Sequence, residues 1–353
     1  MPTGEPTAAP IVVWVAWPVA LEPAVLERIA AVHPRIEVIA CGYEEAGILR
    51  NARSRHGVDA ATRADAVAAV TAAHRAAMAR AEVVFGFDVP FDLADQAPNL
   101  RWVQGIGSGY EHIWGAGLDR DGITVTNAVG VSAAPMAEFV LGRVLALYKR
   151  FREVDARASR HEWAPAYGRM LAGSTIGIVG LGAIGQAVAD RAAALGMRVV
   201  ASRRSHRPGM TAPNVETLYG PGDLATLLGE SDVVVLCAPS TPETRNLIDA
   251  DALAAMRQGT IFVNVGRGTM VDEPALIDAL ERGHLAAAVL DVTSEEPLPS
   301  GHPLWDAPNV YISAHCSATS DGYVDRVAAV FVDNLAHYVA GEPLSNVVDA
   351  AAV

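Results

Sequence analysis

Short apolar runs alternate with longer segments in which apolar positions recur every three or four residues, nearly throughout the chain. Parallel strands buried on both faces, joined by helices apolar on one face, leave this alternation. In the first third the pattern predicts strands at Val12–Trp17, Ile36–Ala40, Val83–Phe87, Arg101–Val103 and Ile123–Thr126. The Ala-rich stretch Arg63–Arg80 reads as one amphipathic helix on Val67, Val70, His74 and Met78. The charged stretch Glu44–Arg63 before it has no clear period and is expected to be a surface insertion. Ala134–Arg160 reads as two helices, with Phe139, Val140, Val144 and Leu147 on one face, bridging to the glycine-rich segment at Gly180 or packed against another subunit. A second strand series is expected at Thr175–Val179, Arg198–Ala201, Val233–Cys237, Ile261–Val265, Ala287–Asp291 and Val310–Ser313. A helix over Tyr323–Val339 closes the pattern.

A chain of 353 residues exceeds what one compact core normally holds, so the two strand series imply two α/β domains. Apolar residues at 51% and charged residues at 19% fit a soluble globular protein. The run Ile11–Leu21 contains Pro18, lacks a basic flank and is too short to span a bilayer. It is expected to be a buried first strand, and the chain a cytoplasmic one with no membrane partner. A net charge of −13 without a Lys/Arg-rich block argues against nucleic acid as a partner. Cys41, Cys237 and Cys316 are widely spaced, and the ten histidines form no pair at helical spacing. No disulfide scaffold and no metal site are therefore expected, and a reducing compartment fits.

The segment Gly180-Leu181-Gly182-Ala183-Ile184-Gly185 is a G-x-G-x-x-G. The pattern is weak alone, but here it follows a strand and opens a helix with Val188, Ala192 and Leu195 as the expected core face. Gly196 should stop that helix before the next strand. In this setting Gly180 permits the tight turn, Gly182 lets backbone N–H groups approach a pyrophosphate, and Gly185 allows close helix–strand packing. The helix N-terminus adds partial positive charge and free donors. At the end of the next strand an NAD site usually presents an acid to the ribose; this chain has Ser202, Arg203 and Arg204. Guanidinium groups there suit the 2′-phosphate of NADP, so NADPH is the expected cofactor, with NAD still open.

Three later segments place polar groups at strand ends: "FVNVGRGTMVDEPAL" with Arg267, "LDVTSEEPLPSGHPLW" with Glu295 and Glu296, and "NVYISAHCSATS" with His315. Together with "LRWVQGIGSGYEHI" around Ser108, they resemble in order and type the D-2-hydroxyacid dehydrogenases. The resemblance covers nearly all of residues 100–345. It implies two Rossmann-like, doubly wound parallel-sheet domains with the active site in the cleft between them. Residues 1–127 with 317–353 would form a flavodoxin-like substrate domain, and 128–316 the dinucleotide-binding domain. Closure of the two would expel water. A homodimer through about Ala128–Met170 is also implied.

Carried over position by position, the resemblance makes Arg267 the group that holds the substrate carboxylate and reacting oxygen. Glu296, directly before Pro297, becomes the acidic partner, and His315 the acid/base. Ala238 and Pro239 in "CAPSTPETRNLI" would lie beside the nicotinamide half of the cofactor and Asp291 near its amide, and Val265 would be a further cofactor-binding position. The chemistry is consistent. Reducing a 2-keto acid needs a hydride on carbon and a proton on oxygen, and imidazole can give that proton near neutral pH. A neighbouring carboxylate favours imidazolium and fixes the ring. A guanidinium grips a carboxylate and polarises the keto oxygen. Backbone N–H groups of Gly107, Ser108 and Gly109 would take the other carboxylate oxygen.

Two positions depart from the family pattern: Ala314 stands where a proline commonly precedes the histidine, and Cys316 follows it. The Ala314 turn is expected to be looser, and Cys316 to be a small buried side chain. Cys237, at a strand end, is read the same way. The function implied is NADPH-dependent reduction of a small 2-keto acid of the glyoxylate or hydroxypyruvate kind to the D-2-hydroxy acid. Trp305, Trp163 or Tyr167 are candidates to shape its pocket. A larger 2-hydroxy acid remains open. So does a dinucleotide-sensing, corepressor-like interaction protein, against which stand the missing basic tail and long extensions.

Overall fold

The computed structural model describes residues 9–45, 49, 69–118 and 122–348. The chain divides into two compact units, Met1–Val131 with Asp321–Val353, and Ser132–Ser320.

The first unit holds a five-stranded parallel sheet in the order β2-β1-β3-β4-β5. Its strands are β1 (Ile11–Ala16), β2 (Ile36–Ala40), β3 (Val83–Gly86), β4 (Trp102–Gly105) and β5 (Thr124–Thr126). The apolar run at the chain start is thus the strand β1, inside the sheet and buried along its whole length. Alternate side chains serve opposite faces: Val13 and Val15 join one core cluster, Trp14 and Ala16 the other. The closing helix Tyr323–Ala340 packs Val327, Ala328, Phe331 and Leu335 into the first cluster, with Phe331 stacked on Phe85 at 4.2 Å. A buried polar chain runs beneath it: Trp102 Nε1–H donates to Thr126 Oγ1, and both Thr126 Oγ1 and Asn334 Nδ2 donate to Gln104 Oε1.

The expected single helix Arg63–Arg80 is corrected in its described part. The helix spans Ala72–Arg80, and Thr71 caps it, its hydroxyl accepting His74 N–H while His74 Nδ1 accepts Thr71 N–H. Val70, read as a helical position, is a buried residue ahead of the cap. Residues 46–48 and 50–68, most of the expected insertion and the start of that helix, lie outside the described residues.

The second unit carries a seven-stranded parallel sheet, β12-β11-β10-β9-β6-β7-β8. These strands are β6 (Thr175–Val179), β7 (Arg198–Ser202), β8 (Thr217–Tyr219), β9 (Val233–Leu236), β10 (Thr260–Asn264), β11 (Leu285–Leu290) and β12 (Val310–Ile312). Strand β8 has no counterpart in the sequence reading; its three half-buried residues, Thr217, Leu218 and Tyr219, carry one aliphatic side chain and make no apolar run. Ile176, Ile178, Val199, Ala201, Ile261 and Val263 face one core, Val179, Val200 and Phe262 the other. Helix Ala133–Tyr148 buries Met136, Ala137, Val140, Leu141 and Val144 against Val188, Ala189 and Ala192 of helix Ala183–Ala194. Phe139 and Leu147, read on one face with Val140 and Val144, pack against the same cluster and are half-buried. Leu195, also read as core, is exposed, because the helix ends at Ala194 and Gly196 turns the chain at φ +76°.

Candidate functional site

Strand order in the second unit reverses between β6 and β9, where crossovers leave in opposite directions and ligands bind in open α/β sheets. The glycine loop follows β6 at this point. Gly180 adopts φ +104°, and a Cβ on it would come within 2.6 Å of the Ala238 backbone after β9. On Gly185 a Cβ would come within 2.5 Å of Gly180 O. Gly182 differs: a Cβ there meets nothing within 4 Å. The loop therefore presents an open cradle at the middle glycine and closed packing at the outer two. Gln186 N–H makes the bond to Gly182 O that starts the helical ladder, so the N–H groups of Ala183, Ile184 and Gly185 precede that ladder at an anion-favouring terminus. This arrangement fits a dinucleotide pyrophosphate.

Two neighbouring strands brace the loop. Gly180 N–H and Leu181 N–H both donate to Ser202 O at the end of β7. The Cys237 thiol donates to Gly180 O at 3.1 Å, and burial pushes that thiol up to about 12. Cys237 is thus a structural donor, a role the sequence reading missed. Beyond Ser202, which is buried, Arg203 and Arg204 are exposed and carry no ion pair among the described residues. Arg204 lies near the loop after β9: its charge helps hold the Glu243 carboxyl below its usual range, after the larger effect of the Thr241 side chain. Ala238 is half-buried and Pro239 exposed in that loop, and Val265 is buried just past β10.

Arg267, Glu296 and His315 sit on three successive loops, after β10, β11 and β12. Asn264 fixes the first turn: its Oδ1 accepts Gly266 N–H at 3.0 Å, and its Nδ2 donates to Arg267 O at 3.1 Å. Arg267 is half-buried, and its Nη1 donates to Gly266 O at 2.8 Å. Glu296 Oε1 accepts Thr293 N–H at 3.1 Å, and Oε2 lies 2.8 Å from His315 Nδ1. The carboxylate accepts the Nδ1 proton, leaving Nε2 as the ring atom for chemistry. Burial pushes the Glu296 carboxyl up; the bond and charge of His315, the Thr293 N–H and the charge of Arg267 together outweigh it, and the net direction is down. Glu295, the adjacent carboxylate, is exposed.

His315 occupies the left-handed region at φ +51°, a conformation that needs external support. Asp291 supplies it. Its carbonyl accepts His315 N–H, Oδ1 accepts Ser313 Oγ–H, Cys316 N–H and Ser317 N–H, and Oδ2 accepts Ser317 N–H and Oγ–H. This buried carboxylate thus holds the loop on which the histidine stands, and Ala314 lies inside the braced turn. Cys316 is exposed rather than buried, a correction: its backbone, not its thiol, is what the loop holds.

Gly107, Ser108 and Gly109 lie in the first unit, half-buried after β4, where Ser108 O accepts Asn127 Nδ2–H and Gly107 O accepts Ala128 N–H. A Cβ on Gly107 would make only an ordinary 3.9 Å contact. Trp163 and Tyr167 are largely exposed, and Trp305 is half exposed with Nε1–H on Pro299 O. Among the described residues no helix is long and apolar enough to cross a membrane.

Comparison with known proteins agrees with this geometry. Residues 141–317 match the family model for the D-isomer specific 2-hydroxyacid dehydrogenase NAD binding domain. The chain is 34% identical over 284 residues to a glycerate dehydrogenase of Methylorubrum extorquens, covering 76% of this chain and 86% of that protein. It is 38% identical over 283 residues to glyoxylate/hydroxypyruvate reductase B of Pectobacterium atrosepticum, covering 77% and 87%. Among solved structures, an NADPH-dependent glyoxylate/hydroxypyruvate reductase from Sinorhizobium meliloti, in complex with NADP and sulfate, superposes with TM-score 0.74 at 28% identity, covering 98% and 99%. A D-isomer specific 2-hydroxyacid dehydrogenase family protein from Aeromonas salmonicida superposes with TM-score 0.77 at 27% identity, covering 97% and 99%. The glycine cradle, the Arg267, Glu296 and His315 loops and these matches agree: the chain belongs to the D-isomer specific 2-hydroxyacid dehydrogenase family.

Proposed function

We propose that this protein reduces a small 2-keto acid of the glyoxylate or hydroxypyruvate kind to the D-2-hydroxy acid, with NADPH preferred over NADH. The observation that carries the reaction is the 2.8 Å pair of His315 Nδ1 and Glu296 Oε2, with Arg267 near enough to act on the same carboxylate. Gly180–Gly185, Ser202, Ala238, Pro239 and Val265 would hold the dinucleotide, and Arg203 and Arg204 its 2′-phosphate. When bound, the dihydronicotinamide supplies the hydride.

The protein's own groups do the rest. The Arg267 guanidinium takes the substrate carboxylate and stabilises negative charge as it grows on the keto oxygen. His315, its Nδ1 proton anchored on Glu296, gives the Nε2 proton to that oxygen and recovers it in the reverse direction. The backbone N–H groups of Gly107–Gly109 are offered to the same class of ligand, a carboxylate. Asp291 acts on the His315 loop. We also infer a soluble cytoplasmic protein that pairs with a second copy. Phe151, Val154, Trp163, Tyr167 and Met170, exposed within one stretch of twenty residues, are the apolar side chains that such a pairing would cover.

The test is steady-state reduction of glyoxylate and hydroxypyruvate with each cofactor. Wild type is expected to give a higher kcat/KM with NADPH. Arg203→Ser with Arg204→Ser should lower that value at least tenfold (~1.4 kcal/mol) and leave NADH nearly unchanged. His315→Ala should lose about 100-fold or more in kcat while still binding NADPH. Tight NADPH binding without turnover on a broad keto-acid panel would instead select a sensor.

A further inference from the structure

Helix Glu273–Glu281 begins with an acid that the reaction proposed above does not use. Glu273 is buried, its side chain only 9% accessible. Its Oε1 accepts Ser294 N–H at 2.6 Å, and its Oε2 lies 3.6 Å from His302 Nε2. His302 Nδ1 accepts Leu304 N–H, which places the ring proton on Nε2, toward Glu273. A buried carboxyl is costly without such partners; the helix N-terminus and these two groups offset the cost. Its hydrogen bond reaches the loop that presents Glu296, two residues beyond Ser294.

The same loop is locked to the segment that carries Arg267. A Cβ on Gly268 would fall 1.9 Å from the Thr293 carbonyl carbon, so the two backbones touch there. Ser294 Oγ–H donates to Gly268 O at 3.3 Å. Thr293 N–H then reaches Glu296 Oε1, and Thr293 Oγ1–H reaches Glu295 O. We infer that Glu273 is a positioning residue: by gripping Ser294 N–H it sets the Thr293–Glu296 turn and so aims Glu296 at His315. This deepens, and for its kinetic part rests on, the reductase reading.

Reach and charge separate in two substitutions. Glu273→Gln keeps an oxygen at the same reach without the charge. Glu273→Asp keeps the charge but retracts it by one methylene. Glyoxylate reduction with NADPH is measured for both, alone and in Glu296→Gln, with hydrogen exchange of the peptide spanning 291–298. Glu273→Asp is expected to lower kcat about tenfold, as misplacement by a fraction of ~1 Å does, with KM for the keto acid within about threefold. Glu273→Gln stays within about threefold in kcat. In Glu296→Gln the Asp change costs less than about twofold, because its route is gone.

The pH profile supplies a readout that loss of packing alone would not move. Glu296 is faced by His315, Arg267 and Thr293 N–H, with Glu295 beside it. Loosening Thr293 N–H removes one group that holds the Glu296 carboxyl low, so in Glu273→Asp the acid limb of kcat moves to higher pH. Exchange around Ser294 accelerates in Asp and not in Gln. Unchanged kcat and exchange in Asp, Gln as impaired as Asp, or full additivity with Glu296→Gln each overturns the inference. If wild type reduces no keto acid, the reductase reading falls, and the exchange comparison alone decides whether Glu273 holds the turn.

Discussion

Gly180→Ala and Gly182→Ala place the same methyl group two residues apart in one loop and should fail for different reasons. At Gly180 the backbone sits at φ +104°, a region essentially reserved for glycine, which costs a side chain about 1–3 kcal/mol. The added Cβ would also stand 2.6 Å from the Ala238 backbone, which cannot rotate away, and overpacking of that kind costs a further ~1–3 kcal/mol. A combined loss of about 2–6 kcal/mol corresponds, at its middle, to a drop of roughly 10 °C in Tm for a domain of this size. At Gly182 φ is −102° and the Cβ meets nothing within 4 Å. Only the helix N-cap preference is touched, worth under about 1 kcal/mol or ~2 °C. The open side of Gly182 is where phosphates would approach, so Gly182→Ala should weaken NADPH binding at least tenfold (~1.4 kcal/mol) in a folded protein. Scanning calorimetry without cofactor and titration of NADPH fluorescence separate the two quantities. Equal Tm values for the two variants, or wild-type NADPH affinity in Gly182→Ala, would refute the reading of this loop.

Acid should weaken the Glu296–His315 pair with a defined sign. The folded protein holds the Glu296 carboxyl below its ordinary 4.5, so the stability it contributes is complete above that value and fades as pH falls through the depressed one. The Tm gap between wild type and Glu296→Gln should therefore narrow from pH 6 to pH 3; a gap that widens contradicts the assignment. The thiols should differ sharply, because Cys237 is pushed up to about 12 and bonded to Gly180 O while Cys316 is exposed. Iodoacetamide at pH 8 should label Cys316 in the native protein and reach Cys237 only after denaturation. Comparable labelling rates would show that the loop after β6 opens readily. Asp291→Ala should cost several kcal/mol by releasing two backbone N–H groups and two hydroxyls, and should lower kcat further still; a Tm within 2 °C of wild type would mean that the His315 turn stands without it.

Period and spacing made much of this legible. Eleven of the twelve strands among the described residues write an apolar run long enough to see, and each lies within a few residues of its expected place. Strand β8 does not: Thr217-Leu218-Tyr219 has one aliphatic residue between Glu216 and Gly220, whereas the equally short edge strand β12 reads Val-Tyr-Ile. The division of the glycine loop into closed, open and closed positions was legible because backbone geometry dictates glycine at two of them. Helix Ala72–Arg80 starts later than its pattern because Ala-rich sequence has weak amphipathicity and says little about where a Thr–His cap will form. Leu195 was misplaced for a related reason: helical periodicity marks a stripe, but whether its last position is covered depends on where the final turn stops.

The residues that escaped sequence reading share one physical character. Asn264, Thr293 and Glu273 bind no proposed ligand; like Asp291 and Cys237, whose bracing bonds also went unread, their side chains take up backbone groups of loops that do, and the Ser313 and Ser317 hydroxyls complete the bonding of Asp291. A loop that leaves the carboxyl end of a parallel strand carries N–H groups with no ladder partner, and burial makes each one costly unless a side chain takes it. The partner comes from whichever strand or helix lies alongside in space, so its distance along the chain carries no signal. Asp291 serves groups twenty-two to twenty-six positions away, and Glu273 serves one twenty-one away. The same geometry explains why Arg267, Glu296 and His315 converge although 29 and 19 positions separate them in turn. β10, β11 and β12 are adjacent and parallel, so their carboxyl ends align and their loops lie side by side. Motif order follows strand order in this sheet. The His315–Glu296 pair is thereby assembled by backbone pairing, with polar side chains holding each loop to the next.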